Sequence, residues 1–317
     1  MIRDDVWGEQ VDFNKLLREF PAADDQRRAF IRDMVLNLMS EANELLGTTT
    51  WKSHRRQDRR PNREHQLEEV IDIFKIWLTI AQGLGFSADD LSQAYFRKSM
   101  VVRQRHSEEW VKHLTSPTWV LDIDNVLCDY IDGFCTWLAD RAPLFAEKIH
   151  QVRKLRMYFS GSEFGMTSAE WQGFKHEFRT TGQKRYLPVM EGAVEFVTRL
   201  RDAGYHIILL TSRPIDRYPN IYTDTLYWLN SVGLSYDWLW WASDKGERLI
   251  DSNALRYITG VVDDDERFVK QFAGLGLQTY WLVNDSVRPV SMDLSVYDNV
   301  HRVRALSDIA IAPVIGG

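Results

Sequence analysis

The sequence predicts two domains of different class, an all-α helical bundle over residues 1–112 and an α/β domain with a parallel sheet over 113–317. Three observations carry this. Apolar residues recur at helical spacing through the first hundred positions. Three short apolar runs follow, Thr118 to Leu121, Ile207 to Leu210 and Tyr257 to Val262, each ending in polar residues, as buried parallel strands do. The length, 317 residues, also accommodates two cores.

The first long helix is expected from Asp25 to Leu46. Phe30, Ile31, Met34, Val35, Leu38, Met39, Ala42, Leu45 and Leu46 share its apolar face, with Asp24 or Asp25 as N-cap and Gly47 just past the end. The second runs from about Glu64 to Leu84, with Leu67, Val70, Ile71, Phe74, Trp77, Leu78 and Ala81 on one face. Ser87 then caps a third, whose first turn carries Asp89 and Asp90. Glu41 and Glu44 lie three apart and so project from one face of the first helix; Glu69 and Asp72 repeat the spacing on the second. If the four carboxylates converge, their repulsion calls for a cation, and Mg²⁺ is the natural one. Each pair alone also reads as a solvated helix face.

Cations for a polyphosphate stand nearby. Lys52 follows Trp51, Lys98 and Arg105 are seven apart on one helix face, and His54, Arg55, Arg56, Arg59, Arg60 and Arg63 make a local basic loop. That loop lacks the interleaved aromatics of a nucleic-acid patch and reads as a lid over a polyphosphate or as a solvated loop.

In the second domain, Leu121-Asp122-Ile123-Asp124-Asn125 places two carboxylates two residues apart as the first strand ends. Residues at that spacing in a strand point to the same side. At the carboxyl end of a parallel strand such a pair can hold Mg²⁺ and leave an oxygen free to attack. The second strand ends in Thr211-Ser212-Arg213-Pro214, a source of phosphate ligands, and the third in Asp263-Asp264-Asp265, carboxylates to complete a metal shell. Lys245 lies between them in sequence, a fixed cation to offset charge on a nucleophile and a phosphate.

This ordered set, over about residues 117 to 317, resembles the haloacid dehalogenase-like (HAD) phosphatases, whose motifs run DxDx(T/V), strand-Ser/Thr, Lys and strand-DD. The resemblance implies a Rossmann-like fold in which Asp122 is the nucleophile and forms an aspartyl-phosphate, while Asp124 serves as general acid and base. It further implies that Thr211 and Lys245 hold the phosphate. Asp263, with Asp264, would bind Mg²⁺ alongside Asp122 and the backbone carbonyl of Asp124. Ser212 joins the phosphate ligands, and Arg213 reads either as a phosphate clamp or as a surface arginine after a turn. The long stretch before Ile207 reads as a helical cap at about 130–190, rich in aromatics such as Phe134, Trp137, Phe159, Phe164 and Trp171. Lys184 and Arg185 at its exit read first as solvated residues at an element boundary, with reach to a substrate phosphate as the other reading.

The helical half is similar to the all-α NTP pyrophosphohydrolases, the group of MazG-like enzymes and dimeric dUTPases. The matching pieces are Glu41-Ala42-Asn43-Glu44-Leu45-Leu46 with Trp51-Lys52, Glu68-Glu69-Val70-Ile71-Asp72, and Gly85 through Leu91 to Tyr95, Lys98 and Arg105. That resemblance implies Glu41, Glu44, Glu69 and Asp72 as Mg²⁺ ligands, water attack at the α-phosphorus, release of pyrophosphate and a homodimer. Val102 replaces the asparagine usual between the lysine and arginine of the third helix, which leaves the base open and dUTP as a first guess among nucleotides.

A net charge of −6 argues against a broad nucleic-acid surface. Cys128 and Cys135 form no CxxC, and their seven-residue spacing puts them on one face if that segment is helical; two buried thiols fit a reducing cytoplasm. No run reaches membrane-spanning length. Joined, the halves imply a hydrolase that takes a nucleoside triphosphate to the monophosphate and then to the nucleoside. The alternatives are a polynucleotide end phosphatase and a helical module that binds nucleotide or pairs chains without turnover.

Overall fold

A computed structural model describes residues 4–17, 20–21, 23–49, 62–111, 116–155, 160–283 and 296–314. The chain forms two compact units, Met1–Tyr95 and Phe96–Gly317.

The first unit is helical, with α1 (Asp4–Leu17), α2 (Asp24–Gly47), α3 (Arg63–Gly83) and the start of α4 (Ala88–Val111). The division between units therefore falls inside α4, ahead of the expected 112/113 boundary. Ser87 caps α4 as expected: its Oγ accepts from Asp90 N at 3.1 Å and donates to Asp90 Oδ2 at 2.7 Å. α2 departs from expectation at both ends, because Ala23, which has no side-chain acceptor, occupies the N-cap, and Gly47 is still helical. The apolar stripe is also only partly used. Phe30 and Met34 on α2 and Leu78 and Ala81 on α3 are buried, whereas Met39, Leu67, Val70 and Ile71 are exposed. A polar cluster supplements this small core: Gln10 Nε2 donates to Asn14 Oδ1 and to Thr79 Oγ1, both at 3.1 Å. No single helix among the described residues is long and apolar enough to cross a membrane.

The second unit is built on a six-stranded sheet, β1 (Thr118–Leu121), β2 (His206–Thr211), β3 (Trp238–Trp241), β4 (Ile258–Asp263), β5 (Thr279–Leu282) and β6 (Val300–Val303). Every pairing is parallel and the order is β3-β2-β1-β4-β5-β6. Chain order runs outward from β1 in one direction and from β4 in the other, so the topological switch point lies between them, where doubly wound sheets bind ligands at the strands' carboxyl ends. Both faces of the sheet are covered, which is why the strands read as continuous apolar runs. Trp119, Leu121, Ile207, Leu209 and Val262 pack on one side. Val120, Ile208, Leu210 and Val261 pack on the other, against Leu249, Phe268 and Phe272.

Between β1 and β2 lie α5 (Tyr130–Arg141), α6 (Ala146–Leu155), α7 (Gly161–Phe164), α8 (Ser168–Thr180) and α9 (Ala193–Asp202). The first four form the expected helical insertion. Their aromatics make its own core: Phe134 and Phe178 rings lie 4.9 Å apart, Phe134 and Trp171 5.5 Å, and Phe164 and Trp171 5.7 Å. Phe159 lies outside the described residues. Helices α10 (Asn220–Val232), α11 (Lys245–Asp251) and α12 (Glu266–Gly274) alternate with the later strands.

Candidate active site

Strand β1 stops at Leu121, but Asp122 N still donates to Val262 O at 3.0 Å, so the carboxylate leaves the sheet beside the end of β4. The chain then turns sharply. Asn125 has φ +62°, a left-handed conformation asparagine tolerates, and its N donates to Cys128 O at 2.7 Å. Its side chain holds the turn in place, Oδ1 accepting from Ile131 N at 3.1 Å and Nδ2 donating to Asp264 Oδ2 at 2.9 Å. A polar loop residue thus ties the end of β1 to the end of β4.

Asp122, Asp263 and Asp264 meet there, each offering a carboxylate oxygen within 4.8 Å of the others. Lys245, at the first turn of α11, has no exposure and sends Nζ between two of them, 2.8 Å from Asp122 Oδ1 and 2.7 Å from Asp263 Oδ2. The Phe268 ring lies 4.4 Å from the same ammonium. Burial pushes Asp122 up to about 7, with the charges of Asp263 and Asp124 acting in the same sense and Lys245 opposing. Asp263 and Asp264 are also pushed up, again chiefly by burial. One buried lysine against three crowded carboxylates leaves room for further positive charge, and three hard oxygen donors suit Mg²⁺.

Asp124 is not part of this triad: its carboxylate is committed elsewhere. Arg213 Nη2 donates to Oδ1 at 2.6 Å and Arg213 Nε reaches both oxygens at 3.1 and 3.2 Å, while Lys184 Nζ donates to Oδ2 at 2.6 Å. Burial alone raises this carboxyl, but Arg213 and Lys184 outweigh it and hold Asp124 well below the usual carboxylate range. The Asp124 side chain, expected from sequence among the metal ligands, is therefore not one of them. Arg213 is 4% exposed, which decides against a surface arginine. Lys184 is likewise 4% exposed and is not a solvated boundary residue. Its ammonium sits between Asp124 and the Tyr130 ring, 4.3 Å from the centroid, and burial lowers it to about 8.

Thr211, at the end of β2, is buried with Oγ1 accepting from Arg213 N at 3.3 Å, and Ser212 beside it is exposed. The expected DxD, Thr/Arg, Lys and DD residues thus converge on one end of the sheet. Cys128 and Cys135 are both buried, but not on one helix face: Cys128 precedes α5, with Sγ 3.3 Å from Asp124 Oδ1. Sequence reasoning missed Asn125 and underrated Lys184. The signal for a further buried polar pair, Asp224-Thr225, is its interruption of an apolar stripe of Ile221, Tyr222, Trp228 and Leu229.

In the helical unit Glu41, Glu69 and Asp72 each bring a carboxylate oxygen within 4.8 Å of the others. Glu69 is buried; Glu41 is pushed up by partial desolvation and by Glu44, Asp72 and Glu69. Glu44 is exposed and stands outside the triad. Lys98 and Arg105 are exposed residues of the second unit. Trp51, Lys52 and the basic run as far as Arg60 lie outside the described residues.

No family model matches the sequence, and no curated protein does. Among solved structures the chain is similar to a HAD family hydrolase from Deinococcus radiodurans R1 with bound phosphate and sodium, at 15% identity over 61% of this chain and 93% of that one, TM-score 0.44. A putative phosphatase from Clostridium difficile has 13% identity over 62% and 99%, TM-score 0.44. A putative HAD-hydrolase from Bacillus subtilis bound to magnesium has 16% identity over 61% and 96%, TM-score 0.41.

Proposed function

We propose that the second unit is a Mg²⁺-dependent phosphomonoesterase acting on nucleoside monophosphates through an aspartyl-phosphate at Asp122, and that the helical unit is an NTP pyrophosphohydrolase supplying its substrate. The observation that carries the first part is the arrangement of Asp122, Lys245 and Asp263 at the switch point, with Asp124 held beside them by Arg213 and Lys184. Asp122, Asp263 and Asp264 would hold the metal, with the Asp124 carbonyl. Bound Mg²⁺ supplies positive charge against the phosphoryl oxygens.

Lys245, 2.8 Å from Asp122 Oδ1, opposes the protonation that burial favours at this carboxylate. An Asp122 oxygen attacks phosphorus; a P–O bond forms to the carboxylate as the P–O bond to the ester oxygen breaks. The leaving alkoxide needs a proton. Asp124 is ionised as it stands because Arg213 and Lys184 face it, and a phosphate dianion that draws both cations onto its own oxygens removes that cause. Asp124 then takes up a proton from solvent and passes it to the leaving oxygen. In the second half-reaction it takes a proton from water, whose oxygen attacks phosphorus, releasing phosphate and restoring the Asp122 carboxylate.

For the helical unit, support comes from the Glu41, Glu69 and Asp72 triad. Exposed Met39, Leu67, Val70 and Ile71 support pairing of two chains as a homodimer, which analytical ultracentrifugation tests directly; a monomer at all concentrations refutes it. The two-site reading is tested by product analysis with purified protein and Mg²⁺ on deoxynucleoside triphosphates. Asp122→Asn is expected to abolish orthophosphate release from the monophosphate and spare pyrophosphate release, and Glu69→Gln to do the reverse. Loss of both activities in either variant contradicts two separate sites.

A further inference from the structure

Helix α10 carries two polar side chains with no exposure, Asp224 and Thr225. A carboxylate and a hydroxyl on the buried side of a helix are costly unless every polar atom finds a partner. Both do, and the partners lead to the site. Asp224 Oδ1 accepts from Arg185 Nε at 2.6 Å and Oδ2 from Asn220 Nδ2 at 3.1 Å. Thr225 Oγ1 donates its proton to Ile221 O at 2.7 Å and accepts from Arg213 Nη1 at 2.8 Å.

These bonds fix orientation. Thr225 has spent its only proton on the backbone, so towards Arg213 it acts as an acceptor alone. The guanidinium is held at both ends, Nη1 on Thr225 and Nε and Nη2 on Asp124, which sets its plane as well as its position. Arg185 follows Lys184 in the single turn Gln183–Tyr186, so the Asp224 to Arg185 pair anchors the backbone that delivers Lys184. One face of α10 thereby governs two cations from separate parts of the chain.

We propose that Thr225 and Asp224 are positioning residues for phosphate capture, Thr225 by orienting Arg213 and Asp224 by seating the turn that carries Lys184. This rests on the reading that Arg213 and Lys184 receive the substrate phosphate. A bidentate clamp works only in a narrow range of angles, and supporting side chains of this kind commonly govern about 10- to 100-fold in binding or rate. When phosphate takes over the Asp124 side of Arg213, Thr225 is the partner that still fixes the guanidinium.

The test is a double-mutant cycle on phosphomonoester hydrolysis. Thr225→Val keeps the shape and removes the acceptor; it is expected to raise KM about tenfold with kcat within about twofold, and Thr225→Ser to restore wild-type KM. In an Arg213→Lys background Thr225→Val is expected to add nothing, and Asp224→Asn to add nothing in a Lys184→Ala background. Wild-type KM in Thr225→Val, or full additivity in both cycles, overturns the proposal. Thr225→Ala serves the same cycle if the valine variant does not fold. A wild-type protein that cleaves no phosphomonoester refutes the proposed function instead. Calorimetric binding of inorganic phosphate then decides the positioning claim, expected about tenfold weaker in Thr225→Val and overturned by equal affinity.

Discussion

Replacing Lys245 by methionine removes the one ammonium between Asp122 and Asp263 while roughly preserving the volume of its stem. Lys245 Nζ sits 2.8 and 2.7 Å from the two carboxylates, with no exposure of the lysine side chain. Breaking a buried ion pair from one side typically costs about 3–5 kcal/mol, because the remaining charge is left in a poorly solvated place. The carboxylates have a way out, which is to take up protons. Burial has already raised both, and Lys245 is the cation that opposes this, so without it their folded-state values rise further above the unfolded ones. A raised carboxylate contributes a penalty that is absent below its unfolded pKa and grows as pH climbs through the folded one. The loss for Lys245→Met is therefore expected at about 3–5 kcal/mol near pH 8 and at less than half that near pH 5. Urea unfolding with a chelator present, followed by tryptophan fluorescence, measures it. Destabilisation below about 1 kcal/mol near pH 8, or a loss of equal size at both pH values, refutes the placement of Lys245 as the charge that opposes protonation of this pair.

In metal-free wild type, Asp122 titrates near 7 when folded and near its ordinary 3.8 when unfolded, so the native state binds the extra proton between those values. Stability is expected to fall by a few kcal/mol in order of magnitude as pH rises through that window, and Asp122→Asn to flatten the slope; urea midpoints across pH report it. Mg²⁺ at about a hundred times its dissociation constant is expected to add about 2.7 kcal/mol to the second unit, an effect that Asp263→Asn abolishes in thermal melts. Arg213→Gln removes the bidentate partner of Asp124 and is expected to lower kcat/KM for a phosphomonoester by about 10²–10³, as steady-state kinetics will show. Gly260→Ala directs a Cβ to within 2.7 Å of the Trp119 ring across the β1–β4 pair, and a stability loss of about 1–3 kcal/mol in urea is expected with the carboxylate site unchanged.

What was legible in the sequence was what local chemistry dictates. Thr118 to Leu121 and Ile207 to Thr211 announce buried parallel strands because both faces are covered and no polar residue interrupts them. The residues that end β1, β2 and β4 gather because parallel strands place their carboxyl ends on one side. Lys184 was harder, since nothing in Gln183-Lys184-Arg185-Tyr186 distinguishes a lysine 4% exposed against Asp124 from a solvated one; only the path of the insertion back to the site decides it. The cysteines misled for a related reason, because a turn at Asn125 to Cys128 separates Cys128 from the helix that carries Cys135. In the helical unit the apolar period placed α2 and α3 but not their burial, since periodicity shows which side chains share a face and not what covers it. Leu67 and Ile71 keep the rhythm of a core and remain exposed.

The covalent role of Asp122 is open to direct chemical trapping. Protein mixed with a nucleoside monophosphate and Mg²⁺, then quenched with borohydride, converts an acyl phosphate to an alcohol, which turns the aspartate into homoserine; peptide mass mapping locates the change. Homoserine at position 122, dependent on substrate and lost in Asp122→Asn, is the expected result. Turnover without any reduced aspartate, or reduction at Asp124, Asp263 or Asp264 instead, would contradict Asp122 as the nucleophile.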